Sequence, residues 1–135
     1  MENRINKAKE IHNKGGNCCQ AVVCAFADLL NKDEETLYSA AEGFGLGMGN
    51  MNCTCGAVSG MVMLAGLKNS SGSTDAGRTK RETYKIAAEM TDEFKKEVGT
   101  VICSEIKGVN SGKCLKSCSD CIAECVKIAE KKIFG

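Results

Sequence analysis

The chain has 135 residues, with 18 basic against 17 acidic and a net charge of +1. That balance gives no electrostatic reason to expect nucleic acid or an anionic membrane surface as a partner, and the length suits one domain, residues 1–135, with a core of its own. Proline is absent, His12 is the single histidine, and ten cysteines stand out.

The opening "MENRINKAKEIHNKGG" alternates charged and polar residues and lacks the apolar stretch of a signal peptide. The longest apolar run, Ala57 to Leu67, is shorter than the ~18 residues a membrane helix needs. A cytoplasmic protein is therefore expected. In a reduced compartment, ten cysteines read as metal ligands, redox thiols or core residues, and not as a disulfide framework. His12 has polar neighbours and is expected at the surface.

Helix formers dominate and alternating β-type runs are scarce, which predicts an all-α domain of about six helices. The first runs from about Asn3 to Asn13, with Gly15 and Gly16 ending it. Asn17 is an N-cap for a second helix, "CCQAVVCAFADLL". Asp33 caps a third, with Leu37, Ala40 and Ala41 on its apolar face. The glycine-rich "EGFGLGMGNMN" follows. No Lys-Ser or Lys-Thr pair comes after it, so it reads as a turn that lets backbone approach backbone and not as a phosphate loop. Thr54 is expected to cap a fourth helix, Cys55 to about Leu67, and "KNSSGSTDAG" is a polar linker.

The fifth helix, about Ala76 to Val98, carries Tyr84, Ala87, Ala88, Thr91, Phe94 or Lys95, and Val98 at helical spacing. Gly99 breaks it, and Thr100 starts a short helical turn, "VICSEIKG". Ser117 caps the last helix, with Asp120 three residues on, and that helix runs to about Ile133. The partly apolar end "KKIFG" is expected either to dock on a second copy, giving a homodimer, or to fray.

Laid on these helices, Cys18, Cys55, Cys103, Cys118 and Cys121 all fall in first turns. There the backbone N–H groups lack partners and the helix dipole leaves partial positive charge. A thiolate is favoured at such a place, and a thiolate is both the nucleophile and the metal ligand. Gly56 and Gly60 share a face with small neighbours, so the fourth helix is expected to press close to another backbone. Cys118–Cys121 is a C-x-x-C, but no strand precedes it and no second C-x-x-C completes a zinc knuckle. Cys24 and Cys125 read as core filling.

"NCCQAVVCAF", "FGLGMGNMNCTCGAVSGMVMLAGL", "CSEIKG" and a cysteine-bearing C-terminal helix occur in that order. Together they resemble a family of redox-active proteins defined by a CGAxxG motif and four spaced cysteines. The resemblance spans nearly the whole chain. It implies a small helical cytoplasmic redox protein, of a kind often found in anaerobes and encoded near transporters. It also implies that the family's four cysteines are Cys18, Cys55, Cys103 and Cys121, with Cys118 as the alternative fourth. Six further cysteines depart from that pattern. Related domains of split-Soret cytochromes c associate such cysteines with an iron–sulfur centre. No C-x-x-C-His is present, so covalent haem is not expected.

Three functions follow as expectations. The leading one is an iron–sulfur site, a [2Fe–2S] cluster on Cys18, Cys55, Cys103 and Cys121, serving electron transfer or redox sensing with an unidentified redox partner protein. Zinc on the same four thiolates is its structural alternative. The second is metal-free thiol–disulfide chemistry, with Cys55 attacking and Cys18 or another nearby cysteine resolving. The third is a helical interaction domain whose cysteines are structural.

Overall fold

The computed structural model describes residues 2–74 and 77–135. It is all-α. Among the described residues the one β-type feature is an isolated antiparallel bridge between Thr54 and Ile102. The helices are α1 (Glu2–Asn13), α2 (Cys18–Cys24), α3 (Ala27–Leu30), α4 (Glu34–Ala41), α5 (Gly45–Met48), α6 (Gly56–Asn69), α7 (Lys80–Val98), α8 (Cys103–Lys107) and α9 (Cys118–Lys132), with a 3₁₀ turn at Glu42–Phe44. The polar start of the fifth predicted helix, at Ala76, lies outside the described residues.

The centre of the molecule is α2, buried along almost its whole length. It packs most extensively on α6, with α1, α4 and α9 around it, while α7 covers the outer side of α6 and α9. One hydrophobic cluster runs through all of these. It includes Val22, Val23, Phe26, Val58, Met61, Leu64, Met90, Phe94, Ile122 and Val126. Non-directional apolar burial of this kind is the main favourable term in folding.

The sequence signals for α2 act as read. Asn17 accepts a hydrogen bond from the Gln20 N–H, and the Gln20 side chain accepts one from the Asn17 N–H, a reciprocal box that satisfies two orphan donors. Gln20 then donates to the Tyr38 carbonyl, at 3.0 Å, which anchors α4. The second predicted helix does not run unbroken to Leu30. It breaks at Ala25 and Phe26, and α3 ends on Asn31 in the left-handed conformation.

Two close approaches explain the motif glycines. A Cβ on Gly60 would stand 3.0 Å from the Cys19 carbonyl and 3.1 Å from Val22 Cβ, so only a hydrogen there lets α6 lie directly on α2. A Cβ on Gly56 would stand 3.1 Å from the Phe44 carbonyl and 3.4 Å from Cys18 Cβ.

Three expectations are corrected. Cys55, not Thr54, is the N-cap of α6, and Thr54 instead bridges to Ile102. The buried face of α7 centres on Met90 and Phe94, while Tyr84, Ala88 and Lys95 face solvent, because the true contact stripe is rotated from the one read in sequence. The C-terminal "KKIFG" neither frays nor leaves its ring free. Phe134 stacks on Phe26 of its own chain, with ring centroids 4.6 Å apart and planes 7° from parallel.

Candidate functional site

Ten cysteines divide into three groups by surroundings. Cys19, Cys24 and Cys125 are fully buried in the core. Burial pushes the thiols of Cys19 and Cys24 up, to about 12 and about 11, and raises Cys125 well above the ordinary range. They remain protonated and pack as small hydrophobes. Cys53 and Cys114 are exposed. The remaining five, Cys18, Cys55, Cys103, Cys118 and Cys121, line one cavity of about 190 Å³. The four candidate ligands and the alternative fourth are thus all brought to one place.

Backbone geometry puts them there. Residues 53–55 and 101–103 run as a short antiparallel pair: the Cys55 N–H donates to the Val101 carbonyl at 2.7 Å, and the Cys103 N–H to the Cys53 carbonyl at 2.9 Å. That pairing fixes the starts of α6 and α8 side by side, and Cys55 and Cys103 with them. The Leu115 N–H donates to the Ile106 carbonyl at 2.8 Å, returning the chain to the pocket just before α9. Ser117 caps α9 by accepting from the Asp120 N–H, which sets Cys118 at its first position and Cys121 one turn on. Cys18 follows the Asn17 cap, and Asn17 also donates to the Glu42 carbonyl, tying α2 to the glycine-rich segment.

That segment is held in an uncommon backbone shape. Leu46, Met48 and Met51 all have φ between +54° and +67°, as does Gly47 at +55°. Left-handed conformations at non-glycine residues cost energy and persist only where the surroundings impose them. Here the imposing bonds run from the Met51 N–H to the Leu46 carbonyl at 2.7 Å and from the Ser104 N–H to the Met51 carbonyl at 2.8 Å. The strap carries the exposed Leu46 to the cavity wall and seats Gly47 directly on Cys103.

The sulfurs are not equivalent. The Cys121 thiol and the Val58 and Ala57 N–H groups of the α6 first turn lie around the Cys55 sulfur and favour its thiolate. These hold its thiol below the ordinary range against the opposing effect of burial. Cys118 is favoured as thiolate first by the neighbouring Cys18 thiol and then by the Lys107 ammonium, so it also lies low. Their neighbours, Cys18 and Cys121, are correspondingly raised, each keeping its own proton beside a thiolate. Burial raises Cys103. A lowered thiol at every helix start was expected. It holds at Cys55 and Cys118 alone, because within each pair two adjacent sulfurs do not both ionise.

His12 is not a free surface residue. It is half-buried and lines the same cavity, with Asn17, Lys107 and Lys116. Its position in sequence gave no sign of this; only the packing of α1 on α2 and α9 delivers it.

Among the described residues no group of three or more His, Cys, Asp or Glu side chains is arranged to hold a single metal ion. The donor set itself, several thiols with two favoured as thiolates and a lysine beside them, has the chemistry of a thiolate-ligated polynuclear centre.

The pairing yields a testable reactivity. In the reduced, metal-free protein, Cys118 is half-exposed and its thiol is lowered. Its alkylation by iodoacetamide should stay fast at neutral pH and slow only when the pH falls into the acid range. Replacing Cys18 by alanine removes the neighbouring thiol and should move that fall upward. Site-resolved mass spectrometry reads both. A Cys118 that gains reactivity only through the ordinary range near 8.5 would show that the pairing is absent in solution.

Comparison with known families places the chain. A family model described as "Putative redox-active protein (C_GCAxxG_C_C)" matches residues 16–132, and the chain belongs to that family. No curated protein and no solved structure matches it. Among the described residues no helix is long and apolar enough to cross a membrane.

Proposed function

We propose that the five-cysteine cavity is a redox centre in which Cys18, Cys55, Cys103 and Cys121 hold an iron–sulfur cluster, [2Fe–2S] in type, with Cys118 the alternative fourth ligand. The observation that carries this reading is the convergence of five cysteines from the starts of α2, α6, α8 and α9 on one small cavity. A dithiol needs two sulfurs, and four or more on one cavity suit a centre with several ligands. Such a cluster, when bound, supplies one-electron chemistry. The chain's own part is to offer thiolates, to set the backbone N–H groups of the α6 first turn near Cys55, to place a cation near Cys118 and to bury Cys55, Cys103 and Cys121 from bulk water. The function is electron transfer or redox sensing in the cytoplasm, with a partner protein as electron donor or acceptor.

A second reading rests on the two sulfur pairs. Thiolate Cys55 attacks one sulfur of a disulfide, forming a mixed disulfide and releasing a thiolate. Cys121 passes its proton to that leaving thiolate, attacks the Cys55 sulfur and releases the second thiolate, which takes a proton from water. The substrate is reduced by two electrons and the Cys55–Cys121 dithiol is oxidised by two. The partner resolving Cys55 in this scheme is Cys121, since Cys121 is the thiol that acts most strongly on Cys55 while Cys18 neighbours Cys118.

A stepwise titration separates the readings. With a cluster, anaerobic protein titrated with dithionite loses visible absorbance in one-electron steps and recovers it on reoxidation. With dithiol chemistry alone there is no visible change, and a small disulfide consumes thiols two at a time.

A further inference from the structure

The cavity wall carries cations as well as sulfurs, and they differ in partner. Lys116 pairs with the Glu124 carboxylate at 3.8 Å. His12 stands at the same wall and acts on Cys118. Lys107 is the last residue of α8, where the chain reverses at Gly108 and returns to start α9. That reversal brings Cys118 to the cavity wall that the half-buried Lys107 also lines, and the ammonium favours the Cys118 thiolate. The carboxylate nearest in sequence, Glu105, is engaged by Thr100. Among the described residues Lys107 forms no ion pair with a carboxylate, so its charge is directed at the thiols. Cys103 and Cys18 feel it as well.

We infer that Lys107 is a positioning residue that raises the electron affinity of the cysteine centre by offsetting the negative charge gained on reduction. The inference deepens the iron–sulfur reading and rests on it. On reduction one electron passes from a one-electron donor to the centre. The donor is oxidised by one, no bond is made or broken, and the negative charge among the sulfurs grows by one. A cation fixed against one of those sulfurs, in surroundings less polar than water, favours the more negative state. Because the ammonium is half-buried, added salt screens it only in part. Methionine at this position keeps the packing of the lysine stem and removes the charge, whereas arginine keeps the charge.

The experiment compares full-length wild type, Lys107→Met and Lys107→Arg, purified without oxygen and titrated to their midpoint potentials with a mediator and dithionite. Lys107→Met should shift to lower potential, Lys107→Arg should stay with wild type, and the difference should survive added sodium chloride. Equal midpoints in wild type and Lys107→Met would overturn the inference. A wild type without any reversible couple would overturn the iron–sulfur reading instead. Lys107 would then be judged on the metal-free, reduced protein, where the acid-side fall in iodoacetamide alkylation of Cys118 should move to higher pH in Lys107→Met, and an unmoved profile would overturn the inference too.

Discussion

Cys55→Ser is expected to lose the visible chromophore and bound iron by at least on the order of tenfold while the chain stays folded. Cys55 is the N-cap of α6 and 6% exposed, so its sulfur meets solvent only through the cavity. It is the thiolate of its pair, held by the Cys121 thiol and by the Val58 and Ala57 N–H groups. A serine hydroxyl at the same atom stays protonated at neutral pH and is a poor ligand for iron. A serine hydroxyl is a favourable N-cap for those N–H groups, so the stability cost is only about 1 kcal/mol. Iron per chain, the visible spectrum and a urea unfolding curve measure the two effects separately. Cys53→Ser is the control: two residues away but exposed, it should change neither. Wild-type iron content in Cys55→Ser would remove Cys55 from the centre.

Gly47→Ala should damage both the fold and the centre. A Cβ at Gly47 would lie 2.5 Å from Cys103 Cβ and 3.0 Å from the Cys53 carbonyl, with φ at +55°. Left-handed backbone at a residue with a side chain and overpacking against fixed neighbours together cost about 2–4 kcal/mol. The neighbours cannot yield freely, because the Cys103 N–H is bonded to the Cys53 carbonyl and α8 starts there. Relief therefore displaces Cys103, so loss of cluster should accompany the lowered urea midpoint. Gly43→Ala, at a glycine with nothing within 4 Å, should behave as wild type. A Gly47→Ala protein of wild-type stability that still loads iron would mean that the strap does not press on Cys103.

Much of the site was legible because local chemistry decides it. Asn17 before Cys18 and Ser117 before Cys118 are capping residues, and caps mark helix starts whatever the tertiary fold. The small face of Gly56 and Gly60 announced a close helix contact, and α2 fills it. The family resemblance, now matched over residues 16–132, rests on the same residues. What stayed hidden depends on contacts distant in sequence. The pairing of residues 53–55 with 101–103 carries no turn or periodicity signal, so Thr54 was read as a cap when it is a bridge residue. His12 reads as an ordinary surface residue, and nothing local singles out Lys107, until α1 and α8 bring them to the cavity that Cys118 lines. The division of the thiols into raised and lowered follows from which sulfurs face each other across helices. Helix position alone would have lowered all five.

Iron and acid-labile sulfide, counted per chain in protein purified without oxygen and recorded with its visible spectrum, test the central claim most directly. Brown protein with about two irons and two sulfides is the predicted result, the composition of a [2Fe–2S] cluster on four cysteines. Colourless, metal-free protein whose pocket thiols oxidise reversibly in pairs would contradict it and assign the cavity to disulfide chemistry.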